Sequence, residues 1–466
     1  MQQDIVFDPK LLMRYDKSGP RYTSYPTSVQ FHDGFGEENY RCRVAQSNEL
    51  SRAASKPTPL SLYFHIPFCD TVCFYCGCSK IATKDRSKAE PYLTHLFKEI
   101  AIQASLFDDD RKVDQLHWGG GTPTFISHQQ MRQLMQFTRE NFSLHDDDSG
   151  EYSIEIDPRE VTPETVSLLR EIGFNRMSMG VQDFAPRVQK AVNRIQSEAV
   201  TFSALEAARK ENFKSISIDL IYGLPFQTAE SFAQTVDKII DVLPDRLSVF
   251  NYAHLPEMFK PQRRINETDL PSLSEKLAIL QNTIQQLTEA GYVYIGMDHF
   301  ARPDDELAVA QREGSLYRNF QGYSTHAECD LVAMGVTSIG MVNNSYSQNA
   351  KTVEEYYAAL NDSRLPIIRG IELSNDDILR REIITRLICH FMLDIPAMER
   401  QFNIDFSACF SHELGELSVM MEDGLLELKP AYIEVLPRGR LLIRNICMVF
   451  DKYLGNKQQQ RFSKVI

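Results

Sequence analysis

LSLYFHIPFCDTVCFYCGC, residues 60–78, sets a seven-residue, mainly apolar run directly against a loop that holds four of the chain's nine cysteines. Leu60–Ile66 has the length and composition of a buried strand, and Pro67 stops it. The cysteines follow as Cys69-x3-Cys73-x2-Cys76, with Cys78 two residues on. Thiolates at this spacing wrap three corners of a cubane iron–sulfur cluster and leave the fourth iron with an open coordination position. A zinc knot using all four cysteines is the rival reading. Structural zinc sites usually join two separated Cys or His pairs, and no second pair follows here. Cys78 is a fourth ligand in one reading and a nearby thiol with its own task in the other.

Outward from this loop the chain alternates. Further strand candidates are 113–118, 152–156, 176–181, 215–220 and 246–252, with helix-period segments at 87–107, 127–142, 162–172, 199–212 and 228–242. Strands spaced by helices of this length imply right-handed crossovers and a parallel sheet, and six such units in a row suggest a barrel, open or closed. Residues 1–55 are polar and turn-rich and read as an arm. A break at 261–274 leads to a helix at 274–290 and a polar region up to about 350. The expected division is an N-terminal arm, 1–55, a βα-barrel with an extension, 56–350, and a mainly helical C-terminal domain, 351–466, with a small wing in a basic short-strand stretch, LEL…IEVLPRGRLLIRNICM, near its end.

The 466 residues carry 50 Lys+Arg against 63 Asp+Glu, a formal net charge of −13, which argues against a nucleic-acid backbone as partner. No apolar run reaches the ~18–20 residues of a membrane span, and the first residues do not have the pattern of a secretory signal. With four cysteines clustered and an odd total, the expected setting is cytoplasmic with thiols reduced. No long heptad is present, so a monomer is the default. The scattered Cys42, Cys329, Cys389, Cys409 and Cys447 read as small buried hydrophobes.

Gly119-Gly120-Gly121-Thr122-Pro123 directly follows the second strand, where glycines let backbone approach a ligand closely. It lacks the Gly-Lys-Ser/Thr ending of a phosphate loop. Glu155, Gln182, Asp219 and Asn251 fall at the C-terminal ends of later strands, the face on which βα-barrels build their sites.

FCDTVCFYCGC resembles the cysteine signature of radical S-adenosylmethionine (SAM) enzymes. Longer phrases resemble one family within them, the oxygen-independent coproporphyrinogen III oxidases: SGPRYTSYPT at 18–27, HWGGGTPT at 117–124, IDPRE at 156–160, MGVQDF at 179–184, DLIYGLP at 219–225, RNFQGYST at 318–325 and RGRLLIRNICM at 438–448. The likeness runs over essentially the whole chain. It implies an α/β fold, a partial (β/α)6 radical SAM barrel with the arm and the helical C-terminal domain.

It also implies a 4Fe–4S cluster on Cys69, Cys73 and Cys76 and two SAM molecules, the first contacting Tyr63, Gly120 and Glu155. The second is expected near Tyr75, Gly121, Thr122, Gln182, Arg194, Asp219, Ala253 and Ile339. Position 75, often Phe in that family, is Tyr here. Cys78 matches the family's extra cysteine and, with Gln321, is a candidate catalytic residue.

The implied reaction removes a hydrogen from the propionate β-carbon of coproporphyrinogen III by a 5′-deoxyadenosyl radical. CO2 and one electron then leave, giving a vinyl group, and the reaction occurs twice, in haem synthesis. It requires an electron donor for the cluster and an electron acceptor. Arg21, Arg302, Arg312 and Arg318 lie in family-like segments and are candidates for holding the substrate's carboxylates. The alternative is a haem chaperone on the same scaffold. Such relatives typically lack the CGC cysteine, the arm and the DELAVAQREG…RNFQGY segment, all of which this chain has.

Overall fold

A computed structural model describes residues 5–454. The first four residues of the arm and residues 455–466 of the C-terminal segment lie outside the described residues. Six strands run parallel in chain order: β1 Leu60–Ile66, β2 Lys112–Gly120, β3 Glu151–Ile156, β4 Arg176–Gln182, β5 Ser215–Tyr222 and β6 Arg246–Asn251. The intervening helices are α1 Ala89–Ala104, α2 His128–Asn141, α3 Pro163–Glu171, α4 Glu198–Lys210 and α5 Ala229–Asp241.

β1 is buried along almost its whole length, as a central parallel strand must be when both its faces are covered. Helix starts are written locally. Ser127, Thr162, Ser197 and Thr228 each accept a backbone N–H of the first turn that would otherwise lack a partner.

The sheet does not end with the six. Asp330–Met334 pairs parallel to β1 on its far side, and Ile339–Val342, Ser345–Asn349 and Ile367–Glu372 continue it antiparallel. At the other edge His299–Ala301 pairs with β6 and Val293–Gly296 with it in turn. The region up to 350 that reads as merely polar therefore contains much of the sheet's margin. Its strands are three to five residues long, too short to show a period.

Two further expectations change. The arm contains a 17-residue helix, Glu37–Ala53, whose buried face is Tyr40, Val44, Ser47, Asn48 and Ser51. That face is mostly polar because it meets a buried arginine. Arg111 NH1 donates to Asn48 Oδ1 at 3.0 Å and NH2 to Asp330 Oδ2 at 2.6 Å, and Ser47 also bonds Asp330. Near the C-terminus Leu426–Lys429 and Tyr432–Val435 form the expected short strands, but the RGRLLIRNICM stretch is helical from Arg440 to Val449.

One apolar core runs from Tyr22 in the arm through the barrel to Phe450. Arg444 Nε donates to Pro20 O at 3.0 Å and Asn445 Nδ2 to Tyr15 O at 2.8 Å, so the arm is held by the last helix. Of the scattered cysteines, Cys329, Cys389 and Cys447 are buried as expected, whereas Cys42 and Cys409 are exposed.

Candidate functional site: the cysteine loop and the barrel lumen

The cysteine loop is pinned at its ends. Ile81 N donates to Pro67 O at 2.7 Å and Thr83 N to Cys69 O at 2.9 Å, so residues 70–80 form a closed excursion from the end of β1. Cys69, Cys73, Cys76 and Cys78 all line one cavity of about 320 Å³. Polar and cationic groups surround the sulfurs. Thr122 Oγ1 lies 3.6 Å from Cys69 Sγ, while Arg194 NH1 and Arg159 NH2 lie 3.6 and 3.7 Å from Cys73 Sγ. Lys80 Nζ donates to Cys76 O at 3.2 Å.

Burial pushes the Cys69 thiol up to about 11. The hydrogen bond from Cys78, aided by Lys80, holds Cys76 below the ordinary thiol value, and the same bond raises Cys78. A site that gathers cations around thiolates suits an anionic metal cluster. Among the described residues, the loop cysteines do not form a group of three whose ligand atoms lie within 4.8 Å of one another.

The glycine run fits against that loop. Gly121 N donates to Ile66 O at 2.8 Å and Thr122 N to Phe68 O at 2.7 Å. A Cβ on Gly121 would meet Phe68 O at 2.6 Å and Pro67 O at 2.7 Å, both rigid backbone. Gly120 has φ +112°, and a Cβ there would lie 2.7 Å from the His65 ring. Its N–H donates to Glu155 Oε2 at 3.2 Å. Both glycines, Thr122, Glu155, Gln182, Arg194 and Asp219 line the same cavity as the cysteines.

Burial opposes ionisation of Glu155, yet His117, the Gly120 N–H and His65 outweigh it and keep the carboxyl below its ordinary value. Burial raises Asp219 to about 6, with hydrogen bonds from Ser248 and Ser178 opposing the shift and the Glu155 charge adding to it. Gln182 has φ +70° and a buried Oε1 without a hydrogen-bond partner; Arg194 Nε is also buried and unpaired, as is Oδ1 of Asn251, which lies outside the lining. Buried polar atoms of this kind normally have partners, so a polar ligand in the cavity fits Gln182 and Arg194.

A family model of the radical SAM superfamily matches residues 63–239, and one of the HemN C-terminal domain matches residues 373–442. The chain is 53% identical to the oxygen-independent coproporphyrinogen III oxidase of Pseudomonas aeruginosa, over 100% of both chains. It is 51% identical to that of Escherichia coli K12, over 100% of this chain and 99% of that protein. The solved coproporphyrinogen III oxidase (HemN) from Escherichia coli superposes with a TM-score of 0.91 at 49% identity, covering 97% of this chain and 100% of the other. The chain belongs to the oxygen-independent coproporphyrinogen III oxidase family. It is a radical SAM enzyme, and its cofactors are a 4Fe–4S cluster and SAM.

Within this oxidase the remaining expected residues divide. Tyr75 lines the first cavity, and its carbonyl accepts Gln262 Nε2 at 2.9 Å, the same nitrogen that reaches Ala253 O at 3.2 Å. Tyr63 is outside the lining; it stacks on His117 at 5.8 Å, and its hydroxyl lies 3.1 Å from His65 Nδ1. Gln321 lines a second cavity of about 210 Å³ that shares Glu155, Ser178, Asp219 and Phe250 with the first, so the two cavities adjoin. Ile339 lies in neither lining. It packs with Phe320 against Phe31, Tyr346, Ile371 and Leu373.

Two of the four arginine candidates contact aromatic residues that line the second cavity, although neither lines it itself. Arg318 is buried, with its guanidinium 4.7 Å from the Tyr323 ring centroid and NH1 unpaired. Arg21 pairs with Asp298 and lies 5.9 Å from the Phe250 ring centroid. Arg302 pairs instead with Asp304, and Arg312 NH1 donates to Pro303 O at 2.8 Å, both exposed.

Sequence reasoning missed Asp157 and Arg159, although they stand beside Glu155. It also missed Arg176, Arg246 and Glu151 around the second cavity. These begin β4, β6 and β3, at the strand ends opposite those that carry Glu155, Gln182 and Asp219.

Proposed function

We propose that the chain converts two propionates of coproporphyrinogen III, on rings A and B, to vinyl groups, giving protoporphyrinogen IX. The observation that carries this is the pair of adjoining cavities. The one at the cysteine loop shares Glu155, Ser178, Asp219 and Phe250 with a second, which Gln321 and Tyr323 also line; the Tyr323 ring lies under Arg318, whose NH1 has no partner. For each group, –CH2–CH2–COO⁻ loses one hydrogen atom, CO2 and one electron to become –CH=CH2. A donor that reduces the cluster and an acceptor for the released electron are therefore required. The acidic chain of a βα-barrel without a membrane-crossing helix among its described residues supports placing this activity in the cytoplasm.

Cys69, Cys73 and Cys76 hold the cluster. Gly120 and Glu155 hold the first SAM, and Tyr75, Gly121, Thr122, Gln182, Arg194 and Asp219 the second; Tyr63, Ala253 and Ile339, expected beside them, line neither cavity. When bound, the cluster and SAM supply the reducing electron and the 5′-deoxyadenosyl radical that takes the hydrogen. The chain's own work is placement and exclusion of water.

Glu155, kept ionised by His117 and the Gly120 N–H, suits an ammonium or a ribose hydroxyl. Asp219 accepts from hydroxyls, with Ser178 and Ser248 already turned to it. Cys78 and Gln321 face the substrate. The substrate is a polycarboxylate and the protein is net −13, so long-range attraction is absent. Repulsion is screened within about 8–10 Å at physiological ionic strength, and buried arginines act at contact.

The test is anaerobic. The protein is reconstituted with iron and sulfide, then given reductant, SAM and coproporphyrinogen III, and the tetrapyrrole is followed by mass spectrometry. Two successive losses of CO2 with 5′-deoxyadenosine formed are expected. An unchanged tetrapyrrole beside a SAM-cleaving cluster would reject this substrate, leaving the haem-carrier alternative to be tested by haem binding.

A further inference from the structure

A second cluster of metal-binding groups lies away from the cysteine loop, in the segment between the Gly322–Ser324 strand and the strand Asp330–Met334. We propose that His326, Glu328 and Cys329 bind one thiophilic divalent cation of the zinc class. Their ligand atoms all lie within 4.8 Å of one another, and His326 Nδ1 is 3.4 Å from Glu328 Oε1. Tetrahedral zinc with bonds of about 2.0–2.3 Å needs neighbouring donors about 3.3–3.8 Å apart, so small side-chain adjustments close the site. One imidazole, one carboxylate and one thiolate give a mixed N/O/S set that suits zinc rather than magnesium or calcium. The two anionic ligands neutralise a divalent ion, which suits a half-buried position.

Four features support the site. His326 Nδ1 is enclosed, and it faces the proposed co-ligand Glu328 at 3.4 Å. The other ring nitrogen, Nε2, faces Glu151 Oε2 at 3.7 Å, and Glu151 is itself held by Gln115 Nε2 at 2.8 Å. A carboxylate behind the far nitrogen of a ligating histidine is the usual way its ring is oriented and its basicity raised. The segment is anchored as well, since His326 N donates to Ser324 Oγ at 3.1 Å. Finally, Glu328 and Cys329 line a cavity of about 510 Å³, which provides an entry path and room for a water as fourth ligand. A bound ion clamps this loop, through His326 and Glu151, to the start of β3 beneath the second cavity.

The test uses the cluster-loaded protein, whose loop cysteines are occupied, dialysed against Zn²⁺ with a competing chelator. One tightly held equivalent beyond the cluster iron is expected. It should persist in the Cys69→Ser/Cys73→Ser/Cys76→Ser variant and be lost in Cys329→Ser and His326→Gln. Co²⁺ added to the triple variant should give a thiolate-to-cobalt charge-transfer band that disappears with Cys329→Ser. Glu328 is exposed, so Glu328→Gln tests the ligand set without disturbing the core, and a fall in affinity of at least about tenfold is expected. Zinc that follows the loop cysteines alone, or an affinity unchanged by Glu328→Gln, overturns the proposal.

Discussion

The Arg194 guanidinium reaches the sulfur of Cys73, at 3.6 Å, from the connection between β4 and α4, more than a hundred residues downstream. The same nitrogen donates to Asp157 Oδ2 at 2.9 Å, and Arg194 is only 6% exposed. A buried positive charge on a cluster ligand raises the cluster's reduction potential. Arg194→Gln should therefore lower the midpoint potential, and a drop of about 60 mV cuts the ratio of reduced to oxidised cluster at a fixed reductant about tenfold. Asp157 keeps Arg159, at 2.6 Å, so the fold and the cluster content should survive. An EPR-monitored redox titration checks this; an unshifted potential rejects the electrostatic role.

Gly121 is constrained by backbone, not by its own dihedral angles. The carbonyls of Pro67 and Phe68 stand where its Cβ would be, at 2.7 and 2.6 Å. Neither can rotate away, because β1 and the short pairing of Phe68–Cys69 with Ile81–Ala82 fix them. Gly121→Ala should push the cysteine loop outward and destabilise the protein by about 1–3 kcal/mol. Iron and sulfide analysis after reconstitution should show reduced cluster content, together with a lower Tm. Full cluster loading would mean that the loop is looser than its hydrogen bonds imply.

The six long strands and their helices were legible because a half-buried helix and a fully buried strand each impose a pattern over six or more residues. Cys69, Cys73, Cys76 and Gly119–Gly121 were legible because their chemistry requires contiguous spacing. Short-range patterning failed where burial is polar. The Glu37–Ala53 helix packs Ser47 and Asn48 against Arg111, which leaves no apolar stripe to read. It failed too where partners are distant in the chain, as with Arg176 and Glu306, or His326 and Glu151. Arg318 was among the candidates but could not be separated from Arg302 before the structure showed which one is buried.

Glu99 provides a pH test independent of the site. It is fully buried on α1 and accepts hydrogen bonds from Tyr356 Oη at 2.6 Å, Asn349 Nδ2 at 2.7 Å and Gly335 N at 2.8 Å. Burial nevertheless raises its pKa from 4.5 to about 7. The folded state thus holds this proton more tightly than the unfolded chain does. Its stabilising contribution is complete below pH ~4.5 and is lost as pH rises through ~7, by at most about 3 kcal/mol. Glu99→Gln removes the titration. The Tm of the variant relative to the parent protein should rise steadily from pH 4.5 to 7. A constant difference would show that Glu99 stays ionised throughout.

Arg318 and Arg302 come from segments equally similar to the family, and the structure gives them opposite environments. Arg318 is 7% exposed, packs over Tyr323 beside the second cavity, and has a buried NH1 with no partner. Arg302 is exposed beside Asp304. A buried guanidinium with an unmet donor gains most from a ligand carboxylate, because the bond forms where water does not compete. Losing a charged hydrogen bond costs about 1.5–3 kcal/mol, which corresponds to a KM increase of about 10- to 150-fold. Arg318→Gln should raise KM for the tetrapyrrole by that much while 5′-deoxyadenosine formation without substrate is unchanged. Arg302→Gln should alter neither. If both variants raise KM alike, the carboxylates are held at the surface and not in the lumen. If Arg318→Gln abolishes SAM cleavage as well, Arg318 supports the cofactor site and does not act on the substrate alone.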